Sequence, residues 1–239
     1  MDGQESASEE NCAGRPWQWL TVWSLDAPLV ALVWQQVFAR MAAVRLRAAE
    51  VALLGLGVWL VYSLDRCLES WRVAANAEQT RRHLFHRRHR RGILILDALV
   101  AAVCAVLALT GLSREELLAG GILLATTAAH LFSHQHWQRH WRWRVPKEIV
   151  VAAVFGAGTL FFPLLRAEEN RWLLAGPGGF FMLLCLANCA LIALWEERLD
   201  RAHGETTLPQ HWRGGKRWVR VFPWLLAVAG VPRNGRASA

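Results

Sequence analysis

The stretch from Gly92 to Leu112, GILILDALVAAVCAVLALTGL, contains one charged residue, Asp97, among its 21 positions. A helix needs about 20 predominantly apolar residues to cross the hydrocarbon layer of a bilayer. Backbone groups in that layer have no water to bind, so a helix, which satisfies them within the segment, is the structure that this stretch predicts. The fold class then depends on how often such a stretch recurs along the chain.

The composition of the whole chain is typical of a membrane protein. Of the 239 residues, 54% are hydrophobic and 19% are charged, whereas about a quarter of an average soluble domain is charged. So much apolar surface excludes a largely disordered chain. Five cysteines, an odd number partly inside apolar runs, exclude a small disulfide scaffold.

Seven apolar segments alternate with charged ones, which predicts an all-α, polytopic transmembrane helical bundle of about seven spans. The predicted spans are 17–39, 51–64, 92–112, 117–132, 145–165, 172–195 and 218–231. The sequence Gly176-Pro177-Gly178-Gly179 predicts a kink or a late start in the sixth span. The seventh is short and contains Pro223, which predicts a re-entrant or incomplete span. Polar tails at 1–16 and 232–239 would flank a helical domain at 17–231.

The distribution of positive charge predicts the orientation. If the spans alternate in direction, 19 of the 27 Lys and Arg residues lie on the side of the N-terminus and 8 on the other side. Because cytoplasmic loops carry the excess of Lys and Arg, the N-terminus is expected in the cytoplasm. We therefore expect an integral, multi-pass protein of a bacterial cytoplasmic membrane.

Two pairs of acidic residues end even-numbered spans on that cytoplasmic side. Asp65 and Glu69 follow the second span, and Glu196 and Asp200 follow the sixth. A spacing of four places both carboxylates of a pair on one face of a helix. Carboxylate pairs of this kind could hold Mg²⁺, which prefers oxygen ligands and bridges to phosphate oxygens. Interfacial pairing of these acids with neighbouring arginines is the alternative that the spacing leaves open.

The strings around these pairs resemble the two aspartate-rich motifs of the UbiA superfamily of intramembrane prenyltransferases. Residues 61–69, VYSLDRCLE, are similar to the first motif, and residues 194–200, LWEERLD, to the second. Residues 145–149, VPKEI, followed by 155–159, FGAGT, resemble the entry of the family's fifth helix, where small residues allow close helix packing. The resemblance extends over about residues 17 to 230 as helix order plus these three motifs.

The resemblance implies a Mg²⁺-dependent transfer of an isoprenoid chain from a polyprenyl diphosphate to an acceptor within the membrane. It implies that the Mg²⁺ ligands and catalytic residues are Asp65, Glu69, Glu196 and Asp200. Arg66 and Lys147 would contact the diphosphate, and Asn188 would contact the acceptor or orient Glu196. Positive-inside anchoring is the alternative role of the two cations, and a hydrogen bond between helices is the alternative role of Asn188.

The chain also departs from the family pattern. Val61 occupies the position where the first motif usually opens with Asn, and seven spans are predicted where the family has nine. A divergent, shortened member could therefore be an enzyme or a non-catalytic multi-pass protein that retains the scaffold. A transporter or channel is a weaker hypothesis, because neither an inverted repeat nor paired broken helices are evident.

The basic run from Arg81 to Arg91 suggests a further partner. It contains eleven residues with Arg and His interleaved, RRHLFHRRHRR, directly before the third span. Its position beside the membrane favours binding of anionic lipid head groups over nucleic acid.

Overall fold

The computed structural model describes residues 23–72, 89–136, 146–195, 208 and 214–230. Within these ranges the chain forms seven α-helices and a 3-10 helix, and no strand. They are α1 (Asp26–Met41), α2 (Ala48–Arg72), α3 (Arg90–Gly111), α4 (Arg114–His136), α5 (Lys147–Arg166), the 3-10 helix (Glu168–Leu174), α6 (Ala175–Trp195) and α7 (Gly215–Gly230). A helix therefore occurs at each of the seven predicted places, and the prediction of a helical membrane protein is confirmed at that level.

Four segments of the described ranges are long and apolar enough to cross a membrane. They are Ala48–Leu68 in α2, Arg90–Gly111 in α3, Lys147–Arg166 in α5, and Glu169–Trp195, which includes α6. They coincide with the second, third, fifth and sixth predicted spans. α4 and α7 are helical where the fourth and seventh spans were predicted, but they do not meet the criterion of length and apolar composition that these four segments meet.

α1 begins later than its apolar pattern predicts. The predicted span begins at residue 17. Residues 17–22 lie outside the described residues, and the helix begins at Asp26. Ser24, directly before it, has a positive φ of 53°, a left-handed conformation that cannot continue a helix. Pro28 lies in the first turn, where its missing N–H removes no helical hydrogen bond.

The sixth helix begins at Ala175, so Gly176-Pro177-Gly178-Gly179 lie inside its first two turns rather than before it. The 3-10 helix leads from the end of α5 to Ala175, where regular α-helix starts. Pro177 then lies in the first turn of α6, again where no intrahelical donor is lost.

The chain divides into two compact units, of which the first contains residues 1–33 and 51–111. Within it, the start of α1 packs on α2, since a Cβ placed on Gly55 would lie 3.2 Å from Leu32 Cδ1. The indole Nε1 of Trp59 donates a hydrogen bond to the carbonyl oxygen of Trp23 at 3.0 Å. These contacts fix the entry of α1 against the middle of α2.

The second unit contains residues 34–50 and 112–239, and its core is aromatic. Phe38 of α1 and Phe181 of α6 are fully buried with their ring centroids 5.6 Å apart in an edge-on arrangement. Trp34 lies 4.7 Å from the Phe181 ring and completes the cluster. Leu160 and Leu174 belong to the same buried cluster, so α1, α5, α6 and the 3-10 helix share one core.

α5 and α6 approach each other most closely at two glycines. A Cβ on Gly156 would overlap Met182 Cγ, and a Cβ on Gly178 would lie 2.7 Å from Leu160 Cδ1. Gly158, two residues further along α5, has no atom within 4 Å of such a Cβ. Of the two glycines in FGAGT, only Gly156 is therefore required by the packing.

Four charged side chains of the second unit form a closed network. Arg47 precedes α2, Glu50 lies in its first turn, Glu116 lies in the first turn of α4, and Arg166 ends α5. Arg47 Nη2 donates to Glu116 Oε2 at 2.8 Å, and Arg166 Nη2 donates to Glu50 Oε1 at 2.6 Å and to Glu116 Oε1 at 2.7 Å. Arg47 Nε also donates to Glu50 Oε1 at 2.9 Å. We call these four residues the charge tetrad.

Glu116 additionally caps its own helix. Its Oε2 accepts the backbone N–H of Ser113 at 2.7 Å, and its own N–H donates to Ser113 Oγ at 3.3 Å, which is a reciprocal capping box. Burial tends to raise the pKa of Glu116, but the hydrogen bonds from Ser113 and Arg47 and the charge of Arg166 outweigh it, so the pKa lies below its usual value. The carboxylate is thus stabilised in its ionised form.

Replacing Gly156 tests the α5–α6 contact. Gly156→Ala should destabilise the protein by about 1–3 kcal/mol, the usual effect of overpacking, because Met182 Cγ cannot move away freely. Gly158→Ala is the matched control and should not lower the thermal unfolding temperature in detergent, because its Cβ meets open space and Ala favours a helix more than Gly does. Equal effects of the two substitutions would contradict the close approach at Gly156.

The charge tetrad should make stability depend on acid pH. Because folding lowers the pKa of Glu116, its stabilising contribution is present above the pKa of the unfolded chain, about 4.3, and is lost as the pH falls through the lower folded value. Glu116→Gln should therefore lower the unfolding temperature at pH 7 and reduce its further fall between pH 5 and pH 3. The exposed neighbour Glu115, changed to Gln, should retain the wild-type pH profile.

Candidate functional site

The first unit contains one of the two acidic pairs, at the end of α2. The helix continues to Arg72, beyond the predicted end at residue 64, so Asp65 and Glu69 both lie on it, one turn apart. The backbone of Glu69 is described and its side chain is not. Asp65 and Arg66 are partly buried, although they lie within the span-length segment Ala48–Leu68. Charged residues in such a segment are costly and usually functional.

One face of α2 near its end is buried. Ser63 and Cys67, one turn apart, lie on this face, whereas Asp65 is two residues from each, lies on the opposite side of the helix and is partly buried. Cys67 interacts electrostatically with Asp97 and Arg90, which places the start of α3 beside the end of α2. Asp97 is itself only 4% exposed. Sequence reasoning assigned Asp97 no site role, although a lone acid in an otherwise apolar span was the available signal.

The second unit brings together polar groups from the start of α5 and the last turns of α6. Lys147 is partly buried at the first position of α5. Lys147 and Glu148 both interact electrostatically with Cys189 of α6. Asn188 is adjacent to Cys189 in sequence but is exposed. A role for Asn188 in joining packed helices has no support in this arrangement.

Glu148 is the residue of this end that sequence reasoning passed over. Its side chain is 3% exposed, and its Oε1 accepts the backbone N–H of Leu208 at 3.2 Å. The second oxygen, Oε2, is buried and has no hydrogen-bond partner among the described residues. Leu208 is anchored on its other side as well, because its side chain packs with Ala190 of α6 and Val219 of α7. Through this hydrogen bond, Glu148 fixes Leu208, which belongs to the segment that joins α6 to α7, against the start of α5.

The remaining predicted site residues lie outside the described residues. α6 ends at Trp195, so Glu196 and Asp200 follow it directly in sequence. Most of the basic run Arg81–Arg91, namely 81–88, also lies outside, and Arg90 and Arg91 open α3. The predicted meeting of the two acidic pairs stays a prediction.

The described residues test a metal site only in part. They contain no group of three or more His, Cys, Asp or Glu side chains placed to hold a metal ion. Of the four proposed Mg²⁺ ligands, only Asp65 has a described side chain. Its carboxylate is a suitable donor type, since Mg²⁺ takes oxygen ligands and is often bound through one or two carboxylates plus substrate phosphates.

No protein-family model, no curated protein and no solved structure matches this chain.

Two substitutions of Glu148 separate its hydrogen bond from its charge. Glu148→Ala removes the acceptor for Leu208 N–H, and a buried donor without an acceptor costs about 1–3 kcal/mol. Glu148→Gln keeps an acceptor oxygen in nearly the same shape and should retain most of the stability. Thermal unfolding of both variants in one detergent provides the measurement. A Gln variant as unstable as the Ala variant would show that the Leu208 contact is not what Glu148 contributes.

Proposed function

We propose that the protein is a UbiA-like, Mg²⁺-dependent prenyltransferase that transfers an isoprenoid chain from a polyprenyl diphosphate to an acceptor within the membrane. The observation that supports this most is the polar end of α2. Asp65 and Arg66 lie within a span-length segment, and Cys67, on the other face of the same turn, interacts with the buried Asp97 of α3. An apolar helix that carries charges in this way is better suited to binding a charged ligand than to anchoring in lipid alone.

The second unit supports the proposal with a cation at the first position of a span-length helix. Lys147 begins the span-length helix α5, and Glu148 and Cys189 lie beside it. An ammonium group at the edge of an apolar bundle can bind diphosphate oxygens while the isoprenoid chain lies among the helices. The proposal requires Glu196 and Asp200, which follow α6, to share a site with Asp65 and Glu69.

Each residue would have a defined task in the transfer. Bound Mg²⁺, held by Asp65, Glu69, Glu196 and Asp200, would offset the charge that develops on the diphosphate. Arg66 and Lys147 would hold the diphosphate oxygens, and Asn188 would orient the acceptor. The bond between C1 of the isoprenoid and the diphosphate oxygen breaks, the electron pair leaves with the diphosphate, and the acceptor forms a bond to C1 and loses a proton. Apolar helix surfaces would keep water from the allylic cation.

Binding of geranylgeranyl diphosphate to the purified protein tests this proposal. Wild-type binding should require Mg²⁺ and be abolished by EDTA. Asp65→Ala and Asp200→Ala should each weaken Mg²⁺-dependent binding at least about tenfold, because each removes a ligand of a doubly charged ion. Glu115→Gln, which removes an exposed acid of α4, should bind as the wild type does.

Binding that is indifferent to EDTA and to both aspartate substitutions would overturn the enzyme proposal. The chain would then be better described as a non-catalytic multi-pass protein with a UbiA-like scaffold.

A further inference from the structure

The helix α7 runs antiparallel along α6, and its contacts fix its depth. Val219, near its start, packs in the cluster that contains Ala190, near the end of α6. Gly230, at its end, lies against Phe180 in the early part of α6, with a Cβ there 3.0 Å from the Phe180 ring. The separation from Val219 to Gly230 is eleven steps along α7 and that from Ala190 to Phe180 is ten steps along α6, so the two helices run side by side for about 15 Å. Since α6 lies in a span-length segment, α7 enters the apolar layer beside it.

The packed face of α7 uses only part of its circumference. Gly215, Val219 and Leu226 are buried, and they recur at a helical spacing that defines one stripe. A second face is exposed and strongly apolar toward the end of the helix. Trp224 and Val228 are each 75% exposed, and Leu225 and Val221 are also exposed. An exposed apolar surface of this kind is expected to be covered by an apolar partner.

The same exposed side is basic in the first two turns. Arg217 and Arg220 are exposed and spaced by three residues, so their side chains are neighbours on the helix surface. Neither has an ion-pair partner among the described residues. At 100° per residue, Trp224 lies between the directions of Arg217 and Arg220, one turn further along the helix. The order along this face is therefore two guanidinium groups, then Trp224, then Val228.

The depth of α7 places these two arginines near the edge of the apolar layer. Val219 is level with Ala190, five residues before Trp195, where the span-length segment gives way to the charged sequence that begins with Glu196. Arg217 lies closer to that edge, and Arg220 lies slightly deeper, within the reach of a side chain that extends toward the interface. Trp224 and Val228 then lie at the level of acyl chains.

We propose that this face of α7 binds an anionic phospholipid, with its phosphate between Arg217 and Arg220 and an acyl chain along Trp224 and Val228. Guanidinium groups bind phosphate oxygens through paired N–H donors, and the exposed apolar turns match a hydrocarbon chain. The charge of the two arginines favours an anionic head group over a zwitterionic one. This site is separate from the basic run Arg81–Arg91 and does not depend on the proposed enzyme activity.

Native mass spectrometry of the full chain in detergent tests the site, with dioleoyl phosphatidylglycerol and dioleoyl phosphatidylcholine as probes. The wild type should bind the first phosphatidylglycerol molecule more tightly than the first phosphatidylcholine. The double variant Arg217→Gln/Arg220→Gln should bind phosphatidylglycerol up to about thirtyfold more weakly, which corresponds to about 1 kcal/mol for each arginine. Arg217→Lys/Arg220→Lys should retain the preference for the anionic lipid.

The matched control is Arg45→Gln/Arg114→Gln, which removes two exposed arginines outside α7. It should leave the affinity of the tightest phosphatidylglycerol site within about twofold of the wild type. An equal loss in the control, or equal wild-type affinity for both lipids, would overturn the proposal. A dimer that the α7 variant dissociates would also overturn it, because a second copy of the chain would then cover this face.

Discussion

The packing of the second unit depends on neutralising buried charge at the place where the ends of α2, α4 and α5 meet. Glu50 is completely buried and Glu116 nearly so, and a carboxylate in such a place is strongly destabilising unless it is paired. Arg47 and Arg166 each bind both carboxylates, so two cations and two anions close on themselves. The starts of α2 and α4 and the end of α5 must therefore lie within a few ångströms of one another. Removing any member leaves the others with unbalanced charge, which makes the network a single unit rather than four separate contacts.

The sequence predicts the helices of this protein better than their junctions. Long apolar runs such as Gly92–Leu112 satisfy their backbone internally and carry little charge, so their structure is set locally. The late start of α1 depends on one backbone conformation, the positive φ of Ser24, which no apolar pattern encodes. The cap of α4 could have been recognised from Ser113-Arg114-Glu115-Glu116, which matches the capping-box spacing. The long-range partners of Glu116 could not, because they lie 69 and 50 residues away in sequence.

The candidate site shows the same limit. A spacing of four residues predicts that Asp65 and Glu69 share one side of α2, and both do lie on that helix. Spacing cannot reveal which neighbouring helix faces them. In the sequence Asp97 is an isolated acid within an apolar span, and the structure shows that it interacts with Cys67 at the end of α2. Glu148 follows Lys147 at the start of a span, where a neighbouring acid and cation are ordinary interfacial charges, so the sequence does not reveal that Glu148 is buried.

The two ends of α5 differ in how completely their charges are satisfied. At Arg166, both guanidinium and carboxylate groups have several short hydrogen bonds, and the charge tetrad is closed. At Glu148, one buried oxygen accepts a hydrogen bond at 3.2 Å, and the other accepts none from the part of the chain that the structure describes. Most buried polar groups in folded proteins have partners, so an exception calls for an explanation of its own. Stability alone would favour a hydrogen-bond partner for every buried oxygen, as is found at the Arg166 end of the helix. Glu148 adjoins Lys147, the cation to which the proposed function assigns the diphosphate oxygens.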